Sequence, residues 1–91
     1  MAITVRIPQP LRGLTHNQST VEGSGATLGD CITHLENAYP GIRERLMDDS
    51  GELRRFVNVY LNGDDVRFAE GLSTALKDGD ELSIVPAVAG G

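Results

Sequence analysis

Ninety-one residues carrying a formal net charge of -5 describe one domain and exclude a nucleic-acid surface, which would need a basic stripe. A single cysteine excludes internal disulfides and four-cysteine metal or iron–sulfur sites. Met1–Arg6 holds no apolar stretch long enough for a secretory signal, and no segment is long enough to span a membrane, so a cytoplasmic protein is expected.

Residues 2–7 alternate, with Ile3, Val5 and Ile7 on one side and Ala2, Thr4 and Arg6 on the other. Period two predicts a half-buried first strand. Pro8-Gln9-Pro10 stops it, and Pro10-Leu11-Arg12-Gly13 has turn chemistry. A second strand around Asn17–Glu22 returns antiparallel, and Gly23-Ser24-Gly25 is the next break. Thr27 is a helix cap, with Asp30 where a capping box prefers Glu or Gln. Leu28, Cys31, Ile32, Leu35 and Tyr39 then keep three- and four-residue spacings that turn one stripe to a sheet. Pro40-Gly41 ends this helix. A helical turn over Ile42–Leu46 and a polar loop over Asp48–Glu52 come next.

Phe56–Leu61 is the strongest strand, with Val57, Val59 and Leu61 on one face and Phe56, Asn58 and Tyr60 on the other. Asn62-Gly63-Asp64-Asp65 reads as a hairpin turn by its Asn-Gly signal, with Val66-Arg67-Phe68 as the short partner strand. Leu72–Leu76 reads as one helical turn, and Asp78-Gly79-Asp80 leads into a last strand, Leu82–Pro86. The order β-β-α-β-β-β predicts an α+β fold: one mixed sheet with one main helix across it. The first and last strands are expected to be parallel neighbours at its centre, joined through the helix as a crossover. This layout is the β-grasp, or ubiquitin-like, architecture, with residues 1–86 as the domain and 87–91 as a flexible tail.

The body of the chain offers little catalytic chemistry. Cys31 lies on the apolar stripe, where a free thiol behaves as a small hydrophobe. His34 shares at most one face with it, and two ligands do not make a zinc site. His16 is expected to be solvated in a turn. Asp48-Asp49 and Asp64-Asp65 read as solvated turns. Asp78, Asp80 and Glu81 either solvate a turn or steer the tail onto a basic docking face. Gly23-Ser24-Gly25 lacks the spacing and the lysine of a phosphate loop. No bound metal or cofactor and no activity of its own are expected.

The terminus is different. Pro86-Ala87-Val88-Ala89-Gly90-Gly91 is apolar and uncharged where exposed tails are polar. Two glycines permit close approach to a partner's backbone. Extended, the segment reaches about 20 Å, enough to carry the carboxylate of Gly91 into a narrow slot, with Gly90, Ala89, Val88 and Ala87 lining the insertion. A carboxylate is a poor electrophile; joined to AMP it becomes an acyl-adenylate, which a sulfur nucleophile converts to a thiocarboxylate. Seven of the eight basic residues are arginine and Lys77 is the one lysine, which suits a chain whose activated end would react with amines, although biased genome composition explains it as well.

Phe56–Arg67 and Leu76–Gly91, with a terminal Gly-Gly after an Asp-Gly-Asp-Glu, apolar strand and Pro run, resemble the MoaD/ThiS family of ubiquitin-like sulfur carriers. The ending Val85–Gly91 is most similar to the carriers of cysteine biosynthesis. The resemblance implies a thiocarboxylate at Gly91 made by an E1-like adenylating and sulfurtransferase enzyme. It implies further partners: a PLP-dependent cysteine synthase acting on O-phosphoserine and a zinc-dependent metallopeptidase that releases the product. ATP and PLP would belong to those enzymes, and the free carrier would be a monomer. The alternatives are the small subunit of a molybdopterin synthase, with Phe56 and Tyr60 as docking candidates unless they pack under the Asp48–Glu52 loop, a protein modifier conjugated through Gly91, and a β-grasp binding module with an incidental tail.

Overall fold

The alternation of the opening residues becomes β1, Ile3–Arg6, with Ile3 and Val5 fully buried and Thr4 and Arg6 exposed. The structure is a computed structural model that describes residues 2–54, 57–66 and 70–86. The predicted Pro10–Gly13 turn is a longer 3-10 helix, Gln9–Thr15, with proline in its first turn and Leu11 and Thr15 buried. Proline's fixed φ and missing N–H suit a helical first turn. The chain then returns through His16 and Asn17, both at positive φ. This delays β2 to Thr20–Gly23, whose antiparallel register with β1 runs from Ile3↔Gly23 to Arg6↔Thr20.

Helix α1, Leu28–Ala38, starts at Thr27, whose hydroxyl accepts the Asp30 N–H at 3.2 Å. Leu28, Cys31, Ile32 and Leu35 are buried, so the stripe faces the sheet as the spacing predicts. Helix α2, Ile42–Leu46, buries Ile42 and Leu46. The link between the helices is fastened by Glu36. Both its carboxylate oxygens accept the Gly41 N–H at 3.1 Å, and Oε1 also accepts the Arg43 N–H at 2.9 Å. These bonds, the Arg43 one foremost, hold the Glu36 carboxyl below its ordinary pKa.

The third strand, β3, is Val57–Leu61; the predicted first residue, Phe56, lies outside the described residues. The hairpin turn is tighter than expected. Asn62 (φ 51°) and Gly63 (φ 94°) are both left-handed, as a two-residue primed turn requires. Asp64–Asp65 are therefore not turn residues but β4, paired as Tyr60↔Asp65 and Leu61↔Asp64. Of the expected partner strand Val66–Phe68, Val66 is buried, and residues 67 and 68 lie outside the described residues. A 3-10 turn, Gly71–Ser73, stands for the predicted helical turn at 72–76. The last strand, β5, is Glu81–Pro86.

The sheet order is β2-β1-β5-β3-β4. β1 and β5 are parallel and β3 and β5 antiparallel, as Leu61↔Leu82 through Val57↔Pro86. The central strand is thus the last of the described strands. Ile3, Val5, Val57, Val59, Leu82 and Ile84 meet Leu28, Cys31, Ile32 and Leu35 of α1 in one core. Burying a large aliphatic side chain contributes roughly 1.5–3 kcal/mol, so this interface holds β5 more firmly than any surface bond.

Candidate functional site

The start of β5 is fixed by side chains that the sequence presents only as polar turn residues. Asp80 accepts the Lys77 N–H at 2.7 Å and the Asn62 carboxamide N–H at 3.1 Å. The Asn62 carboxamide oxygen in turn accepts the Glu81 N–H at 3.0 Å. Asp78 accepts the Ala2 N–H at 2.8 Å. Glu81 pairs with Arg6 at 3.1 Å on the face of the sheet away from the helix. The Lys77 amide first, and then Asn62, holds the Asp80 carboxyl below the usual range.

These bonds revise the reading of Asp78, Asp80 and Glu81. All three carboxylates have partners within the chain, and they sit at the amino end of β5. Five residue steps, about 17 Å at about 3.3 Å per residue, separate Glu81 from Pro86, where the strand hands over to the tail. The cluster anchors the near end of the strand. Asn62 is the functional support that sequence reasoning missed. Its signal was present in the left-handed preference of Asn-Gly, which explains the turn but not the side chain's second task.

At the far end, the alternation of β5 leaves Leu82 and Ile84 inward and Val85 outward. Val85, 43% exposed, is the exposed large apolar side chain among the described residues. Asn58 and Tyr60 of β3 are half-buried on the same outward face. The tail residues Ala87, Val88, Ala89, Gly90 and Gly91, which carry the sequence-based expectation of chemistry, lie outside the described residues.

The remaining candidates separate. Cys31 is fully buried, and burial pushes its thiol up to about 11, partly offset by the Ser24 backbone, the opposite of an activated nucleophile. His34 is exposed, so the two do not converge. His16 is exposed but not merely solvated: its ring meets Tyr39 edge-on at 5.8 Å. Asp48 accepts from Ser50 Oγ at 2.5 Å, Ser50 N–H at 2.9 Å and Glu52 N–H at 3.2 Å. It thereby organises the polar loop. Among the described residues, no group of three or more His, Cys, Asp or Glu could hold a metal ion, and no helix is long and apolar enough to cross a membrane.

A mixed five-stranded sheet with one helix across it, and its first and last strands paired in parallel, defines a ubiquitin-like β-grasp protein. The chain belongs to the ThiS family, whose model matches residues 5–91. It is 57% identical over 93 residues, all of both chains, to sulfur carrier protein CysO of Mycobacterium tuberculosis. It is also 49% identical, with a TM-score of 0.93, to a chain of the BexX/CysO complex of Amycolatopsis orientalis, covering 99% of this chain and all of that one. Small archaeal modifier protein 3 of Haloferax volcanii is 48% identical over 66 residues, covering 72% of this chain and 71% of that protein.

Proposed function

We propose that the chain is a cytoplasmic sulfur carrier with no catalytic groups of its own, whose Gly91 carboxylate is the working atom group. In an ATP-dependent E1-like partner a carboxylate oxygen attacks the α-phosphorus of ATP and pyrophosphate leaves. A sulfide-equivalent nucleophile then attacks the acyl carbon and expels AMP, leaving a terminal thiocarboxylate. Residues 1–86 serve as the handle, and Ala87, Val88, Ala89 and Gly90 are the segment that enters the partner. The sulfur acceptor is a PLP-dependent cysteine synthase using O-phosphoserine. A zinc-dependent peptidase then frees the cysteine formed on Gly91. ATP, PLP and zinc reside in those enzymes, and the free carrier is a monomer.

The observation that carries this reading is the 57% identity to a sulfur carrier across the whole of both chains. The anchored central strand supports it. A partner pulling on residues 87–91 pulls against the β1–β5–β3 ladder and the core beneath it, so the body does not yield while the end is handled. Conjugation to amines is the second reading, favoured by the partial likeness to an archaeal modifier.

Intact-mass analysis of the chain incubated with its activating enzyme, ATP and a sulfide source tests both. Replacement of one oxygen by sulfur is the expected result, lost when Gly91 is deleted although the fold is retained. Normal loading of the truncated chain overturns the mechanism, and a ladder of protein adducts without sulfur loading favours conjugation.

A further inference from the structure

β5 is a central strand, yet it ends in proline, which sheets otherwise confine to edges and strand ends because it cannot donate to the ladder. The register explains how this is tolerated. The Asp80 carbonyl accepts the Thr4 N–H at 3.0 Å, and the Glu81 carbonyl accepts the Asn62 N–H at 2.9 Å. Even-numbered backbone groups of β5 therefore face β1, and odd-numbered ones face β3. The nitrogen of Pro86 belongs to the β1 side, so its missing N–H removes nothing from the β3 ladder, which continues to Val57↔Pro86.

The β1 side stops earlier, at Arg6↔Ser83. In β1, Thr4 N–H faces β5, whereas Ile7 N–H faces β2 and donates to the Ser19 carbonyl at 2.7 Å. The next residue in line to face β5 is Pro8, still extended at φ -70° and ψ 154°. Continuing the parallel ladder by one repeat would require residue 8 to donate to the Ile84 carbonyl and residue 86 to donate to the Pro8 carbonyl. Both donors are absent because both residues are proline. The Pro8 carbonyl instead accepts the Leu11 N–H at 3.0 Å, opening the 3-10 helix.

We infer that Pro8 and Pro86 form a paired terminator that parts the end of β5 from β1 and keeps the outgoing chain available to a partner. They are positioning residues: neither has a role in the chemistry at Gly91, and both act on how much of the chain stays annealed to the sheet. Restoring both donors lengthens the parallel pairing, since a carbonyl has a second lone pair and Pro8 can accept residue 86 as well as Leu11.

The test is amide hydrogen exchange and activation kinetics on the full chain carrying Pro8→Ala and Pro86→Ala. The new amides at 8 and 86 should exchange about fivefold to tenfold more slowly than in an unstructured peptide, as one net backbone hydrogen bond allows. In ATP–pyrophosphate exchange with the activating enzyme, KM for the chain should rise by a similar factor with kcat unchanged, because only the unzipped fraction binds. Unprotected amides at both positions overturn the terminator. Protected amides with an unchanged KM overturn its positioning role. The kinetic arm rests on the sulfur-carrier reading and the amide arm does not, so a wild-type chain that is never activated refutes that reading while exchange still decides the terminator. If the double variant does not fold, Pro86→Ala alone carries both measurements.

Discussion

The Asn62 carboxamide donates to Asp80 Oδ1 at 3.1 Å across 18 residues of sequence, tying the β3–β4 turn to the start of the central strand. With the return bond from Glu81 N–H at 3.0 Å, one side chain at φ 51° performs two tasks. It occupies the left-handed position, and it closes the gap between two strands.

Asn62→Ala should therefore destabilise the chain by about 2 kcal/mol, combining lost hydrogen bonds with the left-handed penalty of a β-carbon lacking a polar head. Asn62→Gly should recover the backbone part and lose about 1 kcal/mol. Urea denaturation separates the two, and equal losses would refute the division.

Gly23 should tolerate no side chain. A β-carbon there would lie 2.6 Å from Cys31 Sγ and 3.2 Å from a Val5 methyl. Gly23→Ala should cost about 1–3 kcal/mol by overpacking. Adding Cys31→Ala should return part of that loss, giving a favourable coupling in a double-mutant cycle. Strict additivity would show that the contact is not the cause.

Alkaline pH should weaken the fold through Cys31. Its folded pKa is raised to about 11, above an unfolded value of about 8.5, so the stabilisation is full below the unfolded value. It is lost as pH rises toward the folded one, because only the unfolded thiol ionises in that window. Cys31→Ala should flatten the stability profile between about pH 9 and pH 11. Iodoacetamide should label the wild type only as fast as it opens.

Acid acts through the opposite sign. The Glu36, Asp48 and Asp80 carboxyls are all held below their ordinary pKa. Their contribution is present above the unfolded values near about 4 and fades as pH falls through the folded ones. Glu36→Gln should lower Tm at neutral pH and reduce its decline below about pH 4, because the α1–α2 link then loses its charged acceptor. An unchanged acid slope would refute this.

How much of the fold is legible in the sequence depends on which interactions are local. Ile3/Val5, the Leu28–Leu35 stripe and Val57/Val59 each declare their face by period, and Thr27 declares its helix. The parallel neighbours β1 and β5 are legible because a crossover helix lies between two strands whose inward positions carry no charge. Asp64-Asp65 reads as turn because aspartate has poor strand propensity, and only pairing with Tyr60 and Leu61 makes it extended. The 3-10 helix is hidden because Pro8-Gln9-Pro10 signals a stop equally well for a turn. Asp78, Asp80 and Glu81 cannot be assigned from sequence, since their partners Ala2, Asn62 and Arg6 are distant in the chain. For residues 87–91, residue types raise the expectation of chemistry at Gly91, and these residues lie outside the described ones.

The parallel pairing of β1 with β5 has a practical corollary for anyone handling this molecule. Ala2 is bonded to Asp78 and Gly79 beside the root of the central strand, a full strand length from Pro86. A fluorophore, affinity label or surface tether grafted at residue 2 would therefore sit at the opposite end of β5 from Pro86, leaving that end of the strand unencumbered for pull-down or single-molecule work.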